Sequence, residues 1–197
     1  SGVWDLSGSP YMVTCNITVP TGQTLEISPG VQVQFTGHYK FVINGTLRAI
    51  GTGADSIIFT RAYPTEASKW WGIRFMNANT NSRLEYCRIE YGNATGSGFD
   101  AEGGGVFSSA SSPTITHCLI QNNRCASGGG GGISCDLGSP LIEDCFISGN
   151  YALYGGGLRF WHSTPTVRRC IVTNNSTVNS IGGGVWWDQS SPNVSNC

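Results

Sequence analysis

The chain has 197 residues, a formal net charge of −1 and only 12% charged side chains. Its 39% hydrophobic and 11% aromatic content excludes a disordered chain. Eleven basic side chains against twelve carboxylates leave no excess to neutralise a phosphate backbone, so nucleic acid is excluded as a partner. No window approaches eighteen consecutive apolar residues, so no membrane span is expected. Glycine, at 28 residues, is about twice its usual share of roughly 7% and points to a turn-rich, all-β chain. There is neither an initiating Met nor an apolar leader, the look of a mature or excised segment.

Residues 1–20 read as an N-terminal cap on the first turn. Over 21–100 short apolar alternations recur irregularly: Leu25 and Ile27 as Leu47 and Ala49, then Val33 and Phe35 as Ile57 and Phe59. Pro29-Gly30 and Asn44-Gly45 are turn signals between them. Trp71-Gly72-Ile73-Arg74-Phe75 opens a copy of the pattern that dominates the second half. Trp70, Trp71, Tyr86 and Tyr91 form either an exposed patch or packing beneath the loop at 61–70.

From 101 to 197 the repeat is plain. Gly-Gly-Gly-Val106, Gly-Gly-Gly-Ile133, Gly-Gly-Gly-Leu158 and Gly-Gly-Gly-Val185 each precede a proline (113, 140, 165, 192) and a cysteine (118, 145, 170, 197). All three landmark sets step by 27, 25 and 27 residues. Apolar residues alternate as in strands, with one break between Ile115 and Cys118 that marks a bend. No helical stripe appears. A period near 25 with about three short strands per copy predicts a parallel coil whose stacked turns share one core. The glycine triplets mark a tight corner. Asn123, Asn150 and Asn175 share one position, where Asn tolerates the left-handed region and can form a hydrogen-bonded ladder.

These glycine starts, with Pro29-Gly-Val-Gln-Val-Gln-Phe35, Gly45-Thr-Leu-Arg-Ala49 and Ile57-Ile-Phe-Thr60, resemble the right-handed parallel β-helix of the pectin-lyase-like superfamily. They are similar to the repeats of secreted bacterial β-helix proteins and polymorphic outer-membrane autotransporters. The resemblance implies a single all-β solenoid of 6–7 turns over 1–197, located outside the cell or on its surface. The last turn stops at Cys197, partway through its repeat. The expectation is that the protein continues beyond it, or that the open turn associates end to end with a second copy.

Cys87 extends the cysteine column to five. Parallel Cβ vectors make disulfides between stacked neighbours awkward, which favours buried thiols. Cys125 and Cys135 lie outside the column and could pair. No Cys-x-x-Cys spacing suggests zinc, and the glycine runs lack the Lys-(Ser/Thr) of a phosphate loop, so no metal or cofactor is expected.

If Val106, Ile133, Leu158 and Val185 point inward, their successors Phe107, Ser134, Arg159 and Trp186 point outward, followed two residues later by Ser109, Asp136, Trp161 and Asp188. This face carries Phe107, Asp136, Arg159, Trp161, Trp186 and Asp188. Indoles beside carboxylates and a guanidinium suit sugar rings and their hydroxyls, so the expected ligand is a polysaccharide or cell-surface glycan. The expected role is a non-catalytic, adhesin-like scaffold. The alternative is a polysaccharide-active enzyme using Asp136 and Asp188 as acid and base, two turns or roughly 10 Å apart.

Overall fold

The structure, a computed structural model, describes residues 1–65, 69–178 and 181–197. Every strand pairing among them is parallel. The chain coils through sheets of eight, seven, seven and four strands, with almost no helix. One regular coil shows the plan. Val106–Ser109 is followed by Thr114–Thr116, Leu119–Gln121 and Arg124–Gly129, and the next coil repeats these as Ile133–Asp136, Leu141–Glu143, Phe146–Ser148 and Tyr151–Tyr154. The parallel β-solenoid has about seven turns, as the periodicity predicts.

Each regular coil has four strands rather than three. The fourth sheet runs through Asn93–Ala94, Arg124–Gly129, Tyr151–Tyr154 and Ser176–Thr177. Its strands are short and lack a continuous apolar alternation, which hid them in the sequence.

Inward residues stack in register. Ile27, Ala49, Leu84, Ile115, Ile142 and Val167 form one column along the first sheet. Val33, Phe59, Ile89, Ile120 and Ile147 form another along the second sheet. All are buried in one continuous apolar cluster. No single coil could close this core; each rung is sealed by its neighbours. One expected register shifts: Val33 pairs with Phe59 rather than Ile57. A slip of two residues keeps the inward set inward, because strand side chains alternate with period two.

Residues 1–20 take part in the coil as well as covering its end. Gly2–Trp4 and Tyr11–Val13 pair with Thr24–Ile27 and Gln32–Phe35 as a first, partial coil. Trp4 stacks on Tyr11 at 4.7 Å and on Phe41 at 5.9 Å, covering that end of the core. Trp70 is fully buried against Phe35 at 4.2 Å, so it packs rather than joining a surface patch.

All eight cysteines are free thiols, including Cys125 and Cys135. In the column the four buried thiols donate to a carbonyl of the preceding coil, Cys87 to Ala49, Cys118 to Leu84, Cys145 to Ile115 and Cys170 to Ile142, at 3.4–3.6 Å, whereas the fifth, Cys197 on the last turn, is exposed rather than buried. Burial holds the Cys118 thiol well above its ordinary range. These thiols behave as small hydrophobes with one weak donor each.

The Asn ladder forms as expected. Asn123 Nδ2 donates to Asn150 Oδ1 at 3.1 Å, and Asn150 Nδ2 to Asn175 Oδ1 at 3.0 Å. The left-handed corner, however, belongs to the residue before: Tyr91, Asn122, Gly149 and Asn174 have φ of 61°, 56°, 65° and 55°. Among the described residues no helix is long and apolar enough to cross a membrane.

Candidate functional site

The third sheet carries the predicted face. Its pairings place Arg74, Phe107, Ser134, Arg159 and Trp186 in one outward row, and Met76, Ser109, Asp136, Trp161 and Asp188 in the other. Alternation along the strands therefore delivers the expected arrangement.

One end of the face is covered. The segment leading into the first glycine triplet folds back over it, with a 3-10 turn at Gly98–Ala101. Arg74 clamps this turn by donating to Trp71 O at 3.1 Å, to Glu102 O at 3.0 Å and to Phe99 O. Lys40 pairs with Asp100 at 2.8 Å, and Trp71 Nε1 donates to Asp100 O at 2.8 Å. Burial lowers the Arg74 pKa to about 10, against the pull of Asp100. Beneath the turn, Phe107 is fully buried with Phe99 at 5.4 Å. Phe107 thus points outward from the coil but cannot touch a ligand, which corrects the expectation that it is exposed. The covering segment lies outside the repeat, so the repeat gave no warning of it.

At the edge of that segment sits a residue that the repeat does not single out. Glu102 occupies the corner position held by Gly129, Tyr154 and Ile181 in successive coils, as the stepwise backbone bonds show. Its carboxylate accepts from Gly129 N at 3.0 Å and Ser134 Oγ at 3.3 Å, and pairs with Arg159 Nη1 at 3.2 Å. Burial pushes its pKa above the usual carboxylate range, and Arg159 pulls it back. Its one sequence signal is being the only charged residue directly before a glycine triplet.

Gly129 makes this pairing possible. A Cβ there would lie 2.3 Å from Arg159 Cδ and 2.6 Å from Tyr154 Cε2. With none, Arg159 lies down across the coil corner and reaches Glu102. Arg159 is only 6% exposed, and its Nε has no hydrogen-bond partner among the described residues. Its guanidinium lies 5.8 Å from the Tyr154 ring, 5.3 Å from Trp161 and 5.9 Å from Trp186.

Two connected features result. The first is an open cleft of about 390 Å³ lined by Phe99, Glu102, Ser127, Asp136 and Arg159, among others. The second is an aromatic wall continuing from Arg159, in which Trp161 and Trp186 stack at 6.1 Å and 20°, with Tyr154 at 4.8 Å from Trp186. Both indoles are partly exposed. The structure brings Asp136, Arg159, Trp161 and Trp186 together. Asp188 lies at the far side of Trp161, which separates it from Asp136 by a full rung on either side. Among the described residues no group of three or more His, Cys, Asp or Glu side chains could hold a metal ion.

A family model described as the right-handed beta helix region matches residues 72–197. No curated protein and no solved structure matches the chain.

Proposed function

The chain belongs to the right-handed β-helix family, and on that premise we propose that it is a non-catalytic scaffold holding a glycan-binding face in rigid register. The observation that carries this proposal is the pair of stacked, partly exposed indoles, Trp161 and Trp186, beside a cleft with buried charges. Neither indole is needed by the core, and flat apolar rings next to fixed polar groups suit the alternating faces and hydroxyls of a saccharide. We place the scaffold outside the cell or on its surface, in keeping with the secreted proteins its repeats resemble. The buried column thiols are sealed from solvent, so an oxidising compartment would leave them unchanged.

Glycan-array screening followed by titration of the best ligand tests this. Trp161→Ala and Trp186→Ala are each expected to weaken binding about tenfold or more, with unchanged circular dichroism. Undiminished binding by the double variant would remove the proposal.

One observation favours a second reading, a polysaccharide-active enzyme. Glu102, kept protonated to higher pH by burial, shares the cleft with Asp136. Glu102 would protonate the leaving glycosidic oxygen, while Asp136 would take a proton from the attacking water. This pair takes the place of Asp136 with Asp188, between which Trp161 intervenes. Reducing-sugar release that disappears in Glu102→Gln while ligand binding persists supports the enzyme. A bound polysaccharide that is never cleaved returns the chain to the scaffold.

A further inference from the structure

A second hollow, of about 420 Å³, lies at the corner between the second and fourth sheets, away from the aromatic wall. Among the described residues its lining includes Arg61, Lys69, Arg124, Tyr91, Tyr151 and Asn122, with no carboxylate. The fold builds it from the left-handed corner column. Gly149 offers no side chain where Tyr91 and Asn122 carry one, and a Cβ there would meet Asn122 Oδ1 at 2.8 Å.

The two arginines are held alike. Arg61 lies over the Tyr91 ring at 4.1 Å and Arg124 over the Tyr151 ring at 4.4 Å. A guanidinium held over a ring by a cation–π contact spends no N–H in an ion pair and keeps its donors for a planar oxyanion. Neither guanidinium makes an ion pair or side-chain hydrogen bond among the described residues. The adjacent acid, Glu90, is occupied elsewhere. It accepts from Thr60 Oγ1 at 3.1 Å and Gln121 Nε2 at 2.9 Å, and lies 3.5 Å from Arg88 Nε.

We propose that this hollow binds an acidic saccharide through paired contacts of Arg61 and Arg124 with its carboxylate or sulfate groups. The strands bearing the two arginines are two rungs apart, a span of roughly 10 Å that no single small ion bridges and a disaccharide unit can. The tyrosine hydroxyls and the Asn122 amide supply partners for sugar hydroxyls between the anionic groups. Both tyrosine rings are covered by the guanidiniums and offer no free face for stacking bases, which favours the saccharide over a single-stranded nucleic acid.

The test is calorimetric titration of the full chain with an oligogalacturonate, a sulfated dextran oligosaccharide, a neutral cello-oligosaccharide, inorganic phosphate and a single-stranded oligonucleotide. Either acidic saccharide should bind more tightly than the neutral one, and the tighter of the two identifies the anionic group. Arg61→Gln and Arg124→Gln should each weaken that binding about tenfold and added salt should weaken it further, whereas Trp161→Ala should not change it. The proposal fails if the doubly substituted protein binds as well as the parent. It also fails if phosphate or the oligonucleotide binds at least as tightly as both acidic saccharides. Loss of binding in Trp161→Ala alone would indict the aromatic wall and not this hollow.

Discussion

Asn150 is completely buried, and its side chain bonds in both directions along the coil axis. Its Oδ1 accepts from Asn123 N at 3.0 Å and its Nδ2 donates to Ile120 O at 2.9 Å, both in the preceding coil, and the same Nδ2 donates to Asn175 Oδ1 at 3.0 Å in the next. Replacing it by alanine orphans a buried donor, Asn123 N, and a buried acceptor, Ile120 O, in the preceding coil. Asn150→Ala should therefore cost about 2–4 kcal/mol in urea denaturation, whereas Asn122→Ala, at the exposed neighbouring position, should cost less than half of that. The ladder was legible because the three asparagines recur in step with the cysteines. The left-handed corner one residue earlier was not, because Asn stands at both 122 and 123 and again at both 174 and 175. Residue type alone could not separate the strained position from the bonded one. Glu102 escaped for the opposite reason: it appears once, at a corner where other coils carry Gly129, Tyr154 and Ile181, so no recurrence drew attention to it.

The glycine triplets combine two constraints that composition does not distinguish. The first glycine of each needs the left-handed region, with φ of 63°, 71°, 59° and 61° at Gly103, Gly130, Gly155 and Gly182. The second allows neighbouring backbones to approach: a Cβ on Gly104 would meet Arg124 O at 2.4 Å and Gly131 O at 2.5 Å. Those contacts are backbone on both sides, so neither can move away. Gly104→Ala should lower stability by about 3 kcal/mol or more through overpacking. Gly98→Ala, with φ 58° and nothing within 4 Å, should cost only about 1–2 kcal/mol for the unfavourable conformation. Thermal or chemical melts of the two variants separate crowding from backbone strain. At this scale the first three sheets were readable from inward apolar residues, since alternation in phase with the repeat fixes which side chains share a column. The fourth sheet was not, because Ser176–Thr177 and Asn93–Ala94 are too short to show a period. The hollow of Arg61 and Arg124 depends on that sheet, so it too was invisible before the coils were in place.

Across the whole molecule, coils contact mainly the coils above and below, and the core is a stack of such contacts. The exposed face was therefore predictable as a register: once Val106 and Ile133 were aligned, Asp136, Trp161 and Asp188 followed. Covering of Phe107 was not, because the interval between Cys87 and Cys118 is 31 residues rather than 25 or 27, and the extra residues belong to no rung. That departure from regularity makes the cleft: Gly96, Ser97, Gly98, Phe99 and Ala101 of the extra segment form one of its walls. The same nearest-neighbour architecture governs the response to force. Tension along the chain would peel one winding of 25–27 residues at a time, as set by the strand pairings, each lengthening the tether by roughly 90 Å. Such stepwise yielding dissipates a sudden load in instalments while the windings not yet reached keep their shape.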